Sequence, residues 1–293
     1  MLGKQDRIFH AVSHIILILA SLSCIIPFLI LLVASVTDET YLIANGYSLF
    51  PKAFSWDAYT YLAKQASTIM RAYGVTLVIT IVGTAVSMII TCLLAYPLSM
   101  PNLPGRKFFS FYVVFAMLFN GGLVPTYIMY TQYFHIKDTI WALIVPGLLL
   151  RVFNVLLVKS YFTTNIPGEI LEAARIDGSS EANTLFRIVL PLSKPIMATI
   201  GLMTGLNYWN DWYNGLIYLN DEKLYSLQVL LNSILKNVQY LANNDVGVNI
   251  TVQLPATSVR MAIAVIAVIP ILVIYPFCQK YFVKGIVMGA VKG

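Results

Sequence analysis

The chain has 293 residues, 58% of them hydrophobic and 11% charged, with a mean hydropathy of +0.77 and a formal net charge of +6. Soluble domains are roughly 45–50% apolar, so the informative feature is the length of the apolar runs: about 20 residues is what a bilayer core demands of a helix. No aromatic-interleaved basic patch accompanies the positive charge, which argues against a nucleic-acid partner and leaves loop charge that orients a membrane protein.

Six transmembrane helices are predicted, at about 13–36, 72–97, 108–130, 139–160, 196–219 and 258–282. The fold class is therefore an all-α membrane protein, a single membrane domain over 1–293. The first span follows Lys4 and Arg7, is too long for a signal-peptide core, and has no small-residue cleavage site, so it reads as a retained anchor. With the N-terminus in the cytoplasm, eleven Lys/Arg fall inside and seven outside, with Arg151 within a span. That bias places both termini in the cytoplasm.

Two outer loops are long, about 38–71 and 220–257. SLFPKAFSWDAYTYLAK in the first reads as a turn feeding a short amphipathic helix. In the second, Leu227, Leu230, Leu231, Ile234 and Leu235 recur at helical spacing. The following NNDVGVNITVQLP is loop-like. Cys24, Cys92 and Cys278 sit far apart in apolar segments without metal-ligand spacing, and read as small buried hydrophobes. His10, His14 and His135 lie at span ends or in a loop, without acidic or Cys partners at useful spacing. No metal site is expected.

Between the fourth and fifth spans, a cytoplasmic loop of about 161–195 contains EILEAARIDGSSEANTLFRIVLPLSKP, with seven charged residues in an otherwise apolar chain. Pro167 suits the first helical position, and Glu169 suits the positive end of the helix dipole. Ala173 and Ala174 form helix and leave little bulk. Asp177-Gly178 breaks the helix, Gly178 fitting a left-handed cap. Ser179 or Ser180 can cap a second helix whose apolar face carries Leu185, Ile188 and Val189. Pro191 and Pro195 then bend the chain into the next span. Two readings fit these residues: an amphipathic connector on the membrane, or a docking helix for a cytoplasmic partner.

Glu172, Ala173, Ala174, Gly178, then Ile188, Leu190 and Pro191, resemble the EAA signature of ABC importer permeases. The C-terminal KGIVMGAVKG and the WND at 209–211 are similar to the carbohydrate-importer branch, and NGGLVPTY at 120–127 is similar to its oligosaccharide-importing subset. The resemblance covers nearly the whole chain. It implies a multi-pass subunit of a bacterial plasma membrane, in which the EAA segment is a coupling helix docking on an ATPase through Glu172, Ala173, Ala174, Asp177 and Gly178. It also implies the partners: a second homologous permease, an ATPase dimer, an extracellular solute-binding protein and a carbohydrate substrate, all amid membrane lipid. No GxxxxGK[ST] loop occurs in the chain. The chain is therefore expected to be non-catalytic and to carry no cofactor, with ATP and Mg on the partner ATPase.

Intramembrane polar residues mark a pathway or a buried pair. In GLNYWNDWYNGL, Asn207, Asn210, Asp211 and Asn214 fall at i, i+3, i+4 and i+7, one stripe of a continuous helix. Tyr208, Trp209, Trp212 and Tyr213 flank it. Amides and a carboxylate beside aromatic rings suit a sugar path; an interfacial aromatic belt is the alternative. In the fourth span, Arg151 and Asn154 share a face. Arg151 either pairs with Asp211 or meets the carboxylate of an acidic sugar. An ion-coupled secondary transporter is the rival function. It would call on membrane carboxylates and inverted repeats, but Asp211 is the only acidic residue placed in a span and no repeat is visible. An intramembrane enzyme would need a catalytic constellation that the spans do not contain.

Overall fold

The computed structural model describes residues 4–243 and 256–290. Among these the protein is all-α, the extended backbone contributing a single antiparallel bridge between Thr37 and Phe54. The stretch 244–255, where a loop was expected, lies outside the described residues. The chain separates into two compact units, one made of residues up to Ser67 with Ser233–Leu272, the other of Thr68–Asn232 with the C-terminal residues from Val273.

The first unit opens with α1 (Lys4–Ser35), whose apolar stretch Val12–Ser35 is long enough to cross a membrane and leaves most of its side chains exposed, with Ala34 and Ser35 buried at its end. Helices α2 (Glu39–Asn45) and α3 (Asp57–Ala63) follow in the 38–71 segment. Asp38 caps α2, accepting from Tyr41 N, and Tyr59 of α3 shares a 2.8 Å hydrogen bond with Ser35 of α1. Glu39 accepts hydrogen bonds from Thr257 N (2.7 Å), Ser258 N (2.8 Å) and Ser258 Oγ (2.9 Å). These are the first turn of the long final helix, where an anion satisfies free N–H groups and opposes the helix dipole.

The second unit is organised by α4 (Ala66–Ser99), a 34-residue helix about 50 Å long at 1.5 Å per residue. Helix α5 (Arg106–Leu118) follows and ends at Phe119. Helix α6 (Leu123–Ile128), continued by a π turn over Met129–Tyr133, leaves it at 110°. Helix α7 (Trp141–Ile144) is one turn, and α8 (Val152–Asn165) starts only after Gly147 takes a positive φ of 69°. The EAA-like segment forms α9 (Gly168–Ile176) and α10 (Glu181–Thr184). A π turn over Leu185–Val189 leads to α11 (Leu190–Leu192), and α12 (Lys194–Trp209) leaves at 87°. Helix α13 (Tyr213–Tyr218) precedes α14 (Leu227–Asn243), and α15 (Ala256–Ala290) closes the chain.

Several sequence expectations change here. The predicted spans 108–130, 139–160 and 196–219 are broken helices. The first breaks where Asn120 Oδ1 accepts from Gly122 N at 2.9 Å and Gly122 adopts φ 86°. The second breaks at Pro146-Gly147, and the third at Asn210–Trp212. Among the described residues, two helices are long and apolar enough to cross a membrane, or up to four if each sharply bent pair is one span. The amphipathic helix expected near 227–235 is present as α14, with Leu227, Leu230, Leu231 and Ile234 buried and Leu235 half-buried.

Helices α4 and α12 pack antiparallel: Gly83 meets Tyr208, Thr84 faces Gly205, Met88 faces Gly201, and Cys92 Sγ lies 3.7 Å from Met197 Sδ. Glycines four residues apart on α12 let the backbones approach closely, the packing device of membrane helices. Thr80, Thr84, Ser87 and Thr91 recur at helical spacing on α4, their hydroxyls buried without a partner among the described residues.

Candidate functional site

The EAA-like segment is built much as its residues dictate. Gly178 takes φ 76° and closes α9, with Ser179 N donating to Ala174 O at 2.9 Å. Ser180 is the cap of α10, its Oγ accepting from Asn183 N at 3.3 Å. Pro167 sits one place earlier than expected, as the extended residue before α9. Leu185 and Val189 are buried, Ile188 half-buried.

The two alanines face opposite ways. Ala174 is 6% exposed and packs inward, while Glu172, Ala173, Asp177 and Gly178 are exposed. A surface made of both alanines is thus not what α9 presents. Its outer face carries instead Ile176, 85% exposed, with Ile170 and Ala173. The spacing of 170, 173 and 176 opposite the inward Leu171 and Ala174 was available in the sequence as a helical face. Behind α9 lies a cavity of about 630 Å³, lined among others by Tyr96, Met100, Leu103, Glu172, Arg175 and Glu181.

Sequence reasoning also missed Glu181. Its Oε1 accepts from Arg175 Nε at 3.1 Å across the Gly178 turn, and its Oε2 accepts from Tyr96 Oη of α4 at 2.7 Å. Arg175 also reaches Met100 Sδ at 3.5 Å.

The polar residues of the fifth span do not form the predicted stripe, because α12 ends at Trp209 and Asn210–Trp212 is non-helical. Asn and Asp compete with the backbone for hydrogen bonds and favour such breaks. Asn214, in α13, is buried and donates to Pro146 O at 2.9 Å. Asn154 is 3% exposed and donates to Thr204 Oγ1 at 3.2 Å. Tyr208 is fully buried and donates to Ile144 O at 2.9 Å. These three side chains hold one helix segment to another. Asn207 is half-buried, and Asn210 is exposed, bonded back to Leu206 O at 2.9 Å. Trp212 is exposed, its ring edge-on to Tyr213 at 6.1 Å.

Three groups at these breaks keep unspent bonding capacity. Asp211 Oδ2 and Trp209 Nε1 are buried without a hydrogen-bond partner among the described residues. Arg151, the extended residue that precedes α8, makes no ion pair with Asp211, although it is near enough to act on it and on Tyr208 electrostatically. The expected structural pair is therefore not formed.

Residues 80–288 match the family model described as binding-protein-dependent transport system inner membrane component. The chain belongs to this family. The membrane component is 38% identical over 290 residues to Protein LplC of Bacillus subtilis (strain 168), covering 99% of this chain and 97% of that one. It is 37% identical over 289 residues to the polygalacturonan/rhamnogalacturonan transport system permease protein YtcP of the same organism, covering 99% and 100%. Among solved structures, the membrane component matches the crystal structure of a bacterial ABC transporter involved in the import of the acidic polysaccharide alginate. That match has a TM-score of 0.80 and 29% identity, covering 96% of this chain and 99% of the other. These matches make the protein a membrane transport subunit, and they do not favour the ion-coupled carrier.

Proposed function

We propose that this protein is a permease subunit of an ATP-driven bacterial importer for oligosaccharides, and that its substrates are acidic. It crosses the plasma membrane six times with both termini cytoplasmic, three of the crossings being helices broken part-way. A second homologous permease completes the pore. A solute-binding protein delivers the sugar outside, and two ATPase subunits supply the energy inside, with ATP and Mg on those chains. The outer face of α9, with Ile176, Ile170 and Ala173, is the contact for the ATPase. Glu172, Asp177 and Gly178 flank it.

The observation that carries the substrate class is Arg151. A guanidinium without an ion pair at the level of two helix breaks is costly to keep in a membrane unless something pairs with it. It precedes the N-terminus of α8, and the N-terminal ends of broken membrane helices favour anionic substrate groups. Trp209 Nε1 and Asp211 Oδ2, both unpartnered, offer a donor and an acceptor for hydroxyls. The names of the relatives, a polygalacturonan/rhamnogalacturonan permease and an alginate importer, support the same class. The test is uptake by the reconstituted transporter carrying Arg151→Gln, with oligogalacturonate and a neutral oligosaccharide of equal length. Loss of a charge-assisted pair predicts about a tenfold or greater selective loss of acidic uptake. Equal loss for both substrates would refute the role given to Arg151.

A further inference from the structure

The cytoplasmic half of α4 holds a joint that the exposed face of α9 does not explain. Tyr96 is buried among apolar side chains such as Val155, Phe162 and Leu185, yet its hydroxyl emerges to bond Glu181 Oε2 at 2.7 Å. The other oxygen of Glu181 takes Arg175 Nε at 3.1 Å, from the opposite side of the Gly178 turn. Within the turn, Asn183 Nδ2 donates to Ser179 Oγ at 2.8 Å and Thr184 Oγ1 lies 3.1 Å from the same oxygen. The segment from α9 to α10 is thus cross-braced.

The Arg175–Glu181 pair is about half open to solvent, and such a pair adds little stability. Its consequence is geometric. Glu181 ties both sides of the turn to one point on α4. Thirteen residues back along the same helix, about 20 Å at 1.5 Å per residue, Gly83 lies against the ring of Tyr208. Tyr208 is bonded to Ile144 and is next in sequence to Trp209. An unbroken helix therefore connects the Glu181 joint to the helix breaks beside Arg151.

We propose that Glu181, bridging Arg175 and Tyr96, is a positioning residue that passes displacement of α9 to α4. This rests on the coupling reading of α9 given above. In this role Glu181 acts between the ATPase contact and the sugar path. It sets how faithfully movement of one reaches the other.

The experiment uses the complete transporter, with ATP hydrolysed and sugar imported measured in the same proteoliposomes. Glu181→Gln and Tyr96→Phe are each expected to retain the ATPase on purification and its basal hydrolysis, while sugar imported per ATP falls, about tenfold for Glu181→Gln. The double variant should lose no more than Glu181→Gln alone, because Tyr96 acts through Glu181. Tyr96→Phe keeps the packed ring, so it reads the hydroxyl even if Glu181→Gln folds poorly. Unchanged sugar per ATP in Tyr96→Phe, additive losses in the double variant, or loss of the ATPase from the Glu181→Gln complex would each overturn the joint. A wild-type complex that recovers no ATPase would overturn the coupling reading itself, and the joint with it.

Discussion

Tyr208 is under two constraints, since its ring fills the space a side chain at Gly83 would need while its hydroxyl serves Ile144 O. A Cβ built on Gly83 would lie 2.5 Å from Tyr208 Cζ, inside any real contact. Overpacking of this kind costs about 1–3 kcal/mol, whereas Tyr208→Phe forfeits one hydrogen bond, about 1 kcal/mol. Gly83→Ala should therefore lower the thermal midpoint of the detergent-purified protein more than Tyr208→Phe does. Adding Tyr208→Leu to Gly83→Ala should cost less than the sum of the two single changes, because the clash is shared. Strict additivity would show that the two residues do not meet. Sugar-like side chains in a membrane sequence invite a substrate role, and Tyr208 and Asn154 look the part. Their burial against neighbouring helices gives them structural work, which composition and spacing could not separate from binding.

At the level of elements, the EAA-like segment was legible because its signals are local. Gly178 at positive φ, Ser180 as a cap, and prolines flanking the 87° bend each act within one turn of chain. The broken spans carried equally local signals, Asn120-Gly121-Gly122, Pro146-Gly147 and Asn210-Asp211. They were outweighed by continuous apolarity, since a hydropathy window averages over a break of three to seven residues. Glu181 and Tyr96 stand 85 positions apart, and no periodicity announces such a pair. Another long-range clip joins the loop before α7 to the end of α13. Asp138 accepts from Asn220 N, from Asn220 Nδ2 at 3.1 Å and from Asp221 N at 3.1 Å. The Asn220 N–H foremost, then that of Asp221, holds the Asp138 carboxyl below its ordinary pKa. A depressed carboxylate stabilises the fold above its unfolded pKa of about 3.9 and ceases to do so as the pH falls through its folded value. Asp138→Asn should melt below the wild type at pH 7, and the gap should narrow as the pH is lowered below about 4. A gap of constant width would mean that the charge of Asp138 plays no part.

For the whole molecule, family membership follows from matches over nearly the full chain, and an all-α membrane transport subunit was readable from apolar runs and one signature. The proposed coupling rests on the outer face of α9, where Ile176 is left 85% exposed. An exposed large apolar side chain on a short helix, beside a cavity lined by Glu172 and Arg175, has the form of a surface awaiting a partner. The most direct measurement is recovery of the ATPase with the tagged protein from native membranes in mild detergent, comparing wild type, Ile176→Asp and Gly178→Pro. The account predicts an ATPase bound to the wild type and lost from both variants, with the variants still folded. An ATPase recovered equally with all three would contradict α9 as the docking helix, and none recovered even with the wild type after crosslinking would contradict the ATP-driven importer itself.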